Sequence, residues 1–230
     1  MTFLEHLGEL RSCLSRAVLS IVVCGITAFV WAGELFHFLT APLVAHFSEA
    51  QLIGTGPAEA FIVKLKVSLG AGILISSPYW FYQIWRFVSP GMYSKERRLA
   101  VPFVAGSTLC FLTGVSFCFF TIFPYAFQFF DAEFSSIGVA PQIRIGEYLS
   151  FAIKLLLVFG VVFELPVLSY FLARLGLITH TWLIENGRYA VVAVFIAAAI
   201  FTPPDIVTQV LLAFPLILLY IICILIAYCV

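Results

Sequence analysis

Charge is scarce in this 230-residue sequence. Only 10% of its residues are Asp, Glu, Lys or Arg, and twelve basic residues balance twelve acidic ones. Soluble domains carry about a quarter charged residues, so a soluble globular protein is excluded. The cancelling signs leave no basic excess to hold a nucleic acid, and none is expected as a partner. Metal-ligand spacing is missing as well. The six cysteines, Cys13, Cys24, Cys110, Cys118, Cys223 and Cys229, include no CxxC pair. Five lie in apolar stretches, where a thiol is a small packing group. His6, His37, His46 and His180 all stand in loop or terminal segments. HExxH, GxSxG and a phosphate-binding glycine loop are absent. No enzyme, metal site or cofactor is expected. A cleavable leader is not visible either: the first 16 residues hold Glu5, Glu9, Arg11 and Arg16, and no small-residue cleavage site follows.

What is abundant is hydrophobicity. Apolar residues make up 63% of the chain, with a mean hydropathy of +1.10. A membrane crossing needs about 20 mostly apolar residues. Six segments qualify, at roughly 17–36, 67–85, 99–122, 149–173, 189–202 and 206–228, and they predict one all-α membrane domain over residues 1–230. Segments 37–66, 123–148 and 203–205 are expected outside, and 86–98 and 174–188 in the cytoplasm. Lysine and arginine set this orientation. The N-terminal segment and loops 86–98 and 174–188 hold eight; the opposite face holds Lys64, Lys66, Arg144 and Lys154. Both termini are therefore expected inside. Pro78, Pro166 and Pro215 fall within spans and predict kinks. The fifth and sixth helices are expected to be short; Tyr189 to Phe201 would rise only about 20 Å. Residues 2–16 predict an amphipathic helix on the membrane surface. Thr2 and Glu5 match a capping box, and Phe3, Leu7, Leu10 and Leu14 form one apolar stripe.

Polar residues in so apolar a chain need a reason. Glu164 sits mid-span in VVFELP, where a carboxylate costs a few kcal/mol or more. A protonated group bonded to a neighbouring helix and a functional polar site both account for it. Thr202, Asp205, Thr208 and Gln209 form a polar cluster at the outer ends of the last two spans. Such residues either glue the two spans or dock a partner helix. The loop RFVSPGMYSKERR (86–98) carries Arg86, Lys95, Arg97 and Arg98, which hold it in the cytoplasm. Its single acid, Glu96, shares that face with Glu9. Two carboxylates near headgroups suit two adjacent guanidinium groups, each matched by parallel hydrogen bonds. Pairing of Glu96 with Arg97 or Arg98 is the simpler alternative.

Six stretches in register across the six spans carry a family resemblance. They are HLGELR (6–11), APL (41–43), SPYWFYQIWRFVSPGMYSKERR (77–98), FPYAFQF (123–129), YLSFAIKLLLVFGVVFELPV (148–167) and TPPD…TQVLLAFPL (202–216). The chain resembles the TatC family, the core subunits of the twin-arginine protein translocase. The resemblance implies a six-helix, proline-kinked, concave fold with both termini inside. It implies recognition of signal peptides bearing paired arginines and proton-motive-force-driven export of folded proteins. TatA, TatB, further TatC copies and lipid are the implied partners. A bacterial inner membrane is the implied location, with thylakoid and mitochondrial membranes as alternatives. By position, Glu9 and Glu96 match the acids that receive the arginine pair, with Phe87 and Arg11 beside them. Glu164 matches an intramembrane acid, and Thr202, Thr208 and Gln209 a patch that holds a partner's span. Pro42 and Asp205 match outer-loop positions. Outside this resemblance, a solute transporter coupled to protons or ions through Glu164 would show the same kinked helices and mid-span acid. A membrane-assembly scaffold is a third reading.

Overall fold

The structure, a computed structural model, describes residues 3–47, 51–88, 100–201 and 205–230. It is almost entirely helical. Helices α1 (Phe3–Ala28), α2 (Ala32–His46), α3 (Glu59–Ile75), α4 (Ser77–Val88), α5 (Ala100–Phe117) and α6 (Phe123–Ser136) are followed by α7 (Ile145–Val162), α8 (Leu165–Arg174), α9 (His180–Glu185), α10 (Gly187–Phe201) and α11 (Ile206–Cys229). Two three-residue strands, β1 (Gln51–Ile53) and β2 (Gln142–Arg144), pair with each other.

Four helical runs are long and apolar enough to cross a membrane: Leu7–His46, Val101–Ser136, Ile145–Arg174 and Ile206–Cys229. The pair Glu59–Ile75 and Ser77–Phe87 qualifies together but is bent by 57°. Gly187–Ile200 is apolar and shorter.

Several expectations change. The N-terminal surface helix is not a separate element: α1 runs unbroken from Phe3 to Ala28, because no proline separates residues 2–16 from the apolar run. Segments 37–66 and 123–148 are not plain loops, since α2 extends to His46, α3 begins at Glu59 and α6 fills Phe123–Ser136. The last helix is not short. It has 24 residues, about 36 Å of rise, because nothing polar interrupts it after Gln209 and Pro215 alone does not break it.

The chain forms two compact units. The first holds Met1–Ala41, Leu52–Leu109 and Ile143–Ile153. In it α1 runs antiparallel to α3, and a Cβ at Gly72 would lie 2.7 Å from the Gly25 nitrogen and the Ile21 oxygen. Only glycine permits so close a backbone approach. The break between α3 and α4 follows from Pro78, which has no N–H for the Leu74 carbonyl. The Ser77 hydroxyl supplies that hydrogen at 2.7 Å. The Ser76 hydroxyl donates to Gly72 O at 2.7 Å and the Trp80 indole to Ile73 O at 3.1 Å. Side chains thus satisfy carbonyls for which a lipid interior offers no water. At the far end of α3, the Glu59 carboxylate accepts from the Thr55 amide and hydroxyl, from Gly56 N at 3.2 Å and from Gly146 N at 3.0 Å. Lys66 Nζ donates to Ser150 Oγ at 2.7 Å, and the Tyr148 hydroxyl to Leu39 O at 2.7 Å. These bonds tie α7's first turns to α2 and α3.

The second unit holds Pro42–Gln51, Cys110–Gln142 and Lys154–Val230. Here α5 crosses α7 at two glycines: a Cβ at Gly114 would meet Phe159 O at 2.5 Å, and one at Gly160 the Phe111 ring at 2.5 Å. Phe111, Phe123 and Phe159 fill the buried space. Helix α11 buries Leu212, Leu216 and Leu219. The Ser169 hydroxyl of α8 donates to Cys223 O at 3.0 Å, and the Tyr220 hydroxyl to Leu183 O at 2.6 Å.

Candidate functional site

In the first unit, the described receptor residues lie on α1 and α4. Beyond the Gly25–Gly72 crossing, Arg16, Ser20 and Val23 of α1 face Ile75, Pro78 and Tyr79 across a shallow groove of about 440 Å3. Helix α1 packs on α4 as well as on α3. Cys13 is buried, as are Phe81, Gln83 and Trp85 of α4. Glu9 is half-buried, with its Oε2 covered. Phe87 is half-buried, and Arg11 and Arg86 are exposed. Glu9 and Phe87 thus lie half-buried on two helices that pack together, and Arg11 is exposed. Glu96 lies outside the described residues.

In the second unit, Glu164 occupies the turn between α7 and α8, two residues before Pro166. Its amide donates to Val161 O at 3.1 Å, and its carbonyl accepts from Leu168 N at 2.9 Å. The side chain is half-buried with Oε1 covered. Asp205 caps α11: its Oδ1 accepts from Thr208 N at 2.7 Å and its Oδ2 from the Thr208 hydroxyl. That satisfies one of the amides a helix start leaves open. Thr208 is buried. Gln209 Nε2 donates to Phe195 O at 3.0 Å, so this amide bridges α10 and α11. Thr202 lies outside the described residues. Pro42 is built into α2, and its carbonyl is bonded to the His46 ring at 2.8 Å.

Sequence reasoning passed over Gln83, Glu59 and Gly72. One signal pointed to the first: Gln83 is an amide in an apolar stretch, four residues before Phe87 and so on the same face of α4. Glu59 and Gly72 depend on residues distant in sequence and gave no local sign.

A bundle of apolar helices with buried polar groups near helix ends defines a multi-pass membrane protein. Residues 5–215 match the family described as Sec-independent protein translocase protein (TatC), and the chain belongs to the TatC family. The Sec-independent protein translocase protein TatC of Desulforapulum autotrophicum is 48% identical over 95% of this chain and 81% of its own length. That of Aquifex aeolicus is 37% identical over 96% of this chain and 92% of its own. A crystal structure of the twin arginine translocase receptor TatC superposes with a TM-score of 0.89 at 37% identity, covering 96% of this chain and 99% of that one. The family is one of protein translocase components, not of catalytic enzymes.

Proposed function

We propose that this chain is the receptor subunit of a twin-arginine translocase, binding paired-arginine signal peptides at its cytoplasmic face and starting proton-motive-force-driven export of folded proteins. The half-buried carboxylate of Glu9 on α1, a helix packed against α4 and its half-buried Phe87, carries the proposal. A carboxylate partly withdrawn from water holds a guanidinium more strongly than an exposed one. Glu96 supplies the second acid and Arg11 flanks the site. Family membership and the likeness to a twin arginine translocase receptor support this reading and leave solute transport through Glu164 without support.

The rest of the arrangement follows from it. The chain crosses a bacterial inner membrane six times with both termini inside, the bent α3–α4 pair and α10 each making one span. TatA and TatB single-span subunits and further TatC copies assemble on it. A partner's helix docks at the end of α10 and α11 marked by Thr202, Thr208 and Gln209 and by Asp205 at the last outer turn; Thr208 is buried there and fixes Asp205. Glu164 is the intramembrane polar site, and Pro42 shapes the first outer segment. The test is peptide binding in detergent. An Arg-Arg signal peptide should bind more tightly than its Lys-Lys counterpart, and Glu9→Ala and Glu96→Ala should each abolish the difference. Equal binding of both peptides to the unaltered protein sinks the proposal.

A further inference from the structure

Gln83 is the most deeply buried polar side chain near the proposed receptor site. It is 2% exposed, and its Oε1 has no hydrogen-bond partner among the described residues. Leaving a buried acceptor unmade costs more than a typical hydrogen bond contributes, so such an atom needs an explanation. Its position offers one. Gln83 lies one helical turn before Phe87, about 6 Å along α4, on the same helix face. Helix α4 packs against α1, which carries Glu9.

A pair of arginines also needs more acceptors than two acids provide. Two guanidinium groups carry about ten N–H donors between them. Carboxylates take the outward edges of the fork. An arginine that enters between helices loses water from its inner N–H groups and needs an acceptor at that depth. A neutral amide carbonyl suits the place better than a third carboxylate, because it costs less to keep buried when the site is empty.

Resting on the receptor reading above, we propose that the side-chain carbonyl of Gln83 is a third acceptor for the signal peptide's arginines, and that it reads guanidinium against ammonium. The discrimination follows from hydration. Guanidinium is weakly hydrated and presents a flat fork that slides between helices with its apolar stem packed along them. A lysine ammonium is compact and strongly hydrated, and does not shed its water for one neutral carbonyl.

The test is a titration of Arg-Arg and Lys-Lys signal peptides against the full chain in detergent, on the unaltered protein, Gln83→Leu and Gln83→Glu. Gln83→Leu removes the acceptor at nearly constant volume. It should lower Arg-Arg affinity about tenfold, leave Lys-Lys binding unchanged and leave the melting temperature unchanged or raised. Gln83→Glu keeps an acceptor and should retain Arg-Arg binding with a steeper salt dependence. Full Arg-Arg binding by Gln83→Leu overturns the proposal. So does equal loss of both peptides, or a lowered melting temperature in both variants, since either outcome makes Gln83 a packing residue. Failure of the receptor reading looks different: the unaltered protein would not distinguish the peptides at all.

Discussion

A side chain at Gly72 has nowhere to go, because backbone atoms of Ile21 and Gly25 stand 2.7 Å from where its Cβ would begin. Gly72→Ala should therefore cost about 1–3 kcal/mol, read as a lower melting temperature in detergent. Gly106 meets open space, so Gly106→Ala should be neutral or slightly stabilising. Asp205→Ala removes the cap of α11 and should cost about 1 kcal/mol in the same measurement. Glu59→Ala should speed amide hydrogen exchange at Gly56 and Gly146 together, since one carboxylate holds both; slow exchange persisting at Gly146 would show that its protection does not come from Glu59. At this scale the sequence is a partial guide. The acids at Glu9 and Glu164 stand out because a charge in an apolar chain is rare. Asp205 stands out as an acid in a turn, although its bond to Thr208 is a helix cap. Gly72 and Glu59 act through residues dozens of positions away, which no local pattern encodes.

The bend between α3 and α4 gives a sharper test. Pro78 deprives the Leu74 carbonyl of its donor, and the Ser77 hydroxyl replaces it. Ser77→Ala should cost about 1–3 kcal/mol as an unmade buried bond. In a Pro78→Ala background the same change should cost little, because the new backbone N–H at position 78 reaches Leu74. Equal costs in both backgrounds would break the link between the proline and the serine. Proline made the bend legible in the sequence, whereas the Ser77 and Trp80 side chains that bond the freed Leu74 and Ile73 carbonyls emerged only from the structure. Segments 37–66 and 123–148 show the opposite weakness. Their polar residues read as loop, yet helices extend well into them, because α2 and α6 need an apolar stripe and not a wholly apolar surface. The same holds for residues 3–16, whose amphipathic pattern is the opening of α1.

Among the described residues, apolar length was the most legible quantity: the predicted apolar segments are mostly helix, broken at Ser76 and at Phe163–Glu164. Their boundaries were less so, since hydropathy is blind to a break such as the one at Ser76. The proposed topology is tested by cysteines introduced at Gly54, Gly138 and Gly176 in a background without the native thiols. A membrane-impermeant maleimide should reach the first two from one side of sealed vesicles and the third from the other. Helix α10, at 15 residues, rises only about 22 Å, less than the roughly 30 Å of a typical hydrocarbon core. The protein should melt at higher temperature in bilayers of 14-carbon lipids than in those of 22-carbon lipids.

The tied-off elbow between α3 and α4 also has a mechanical meaning. A helix broken at proline with loose carbonyls would be a joint, free to swing. With the Ser77 hydroxyl and the Trp80 indole on the Leu74 and Ile73 carbonyls, it is a corner whose bonds a swing would have to break. That corner turns the chain by 57° between the helix that carries Phe87 and the helix whose start is tied to α7 through Glu59.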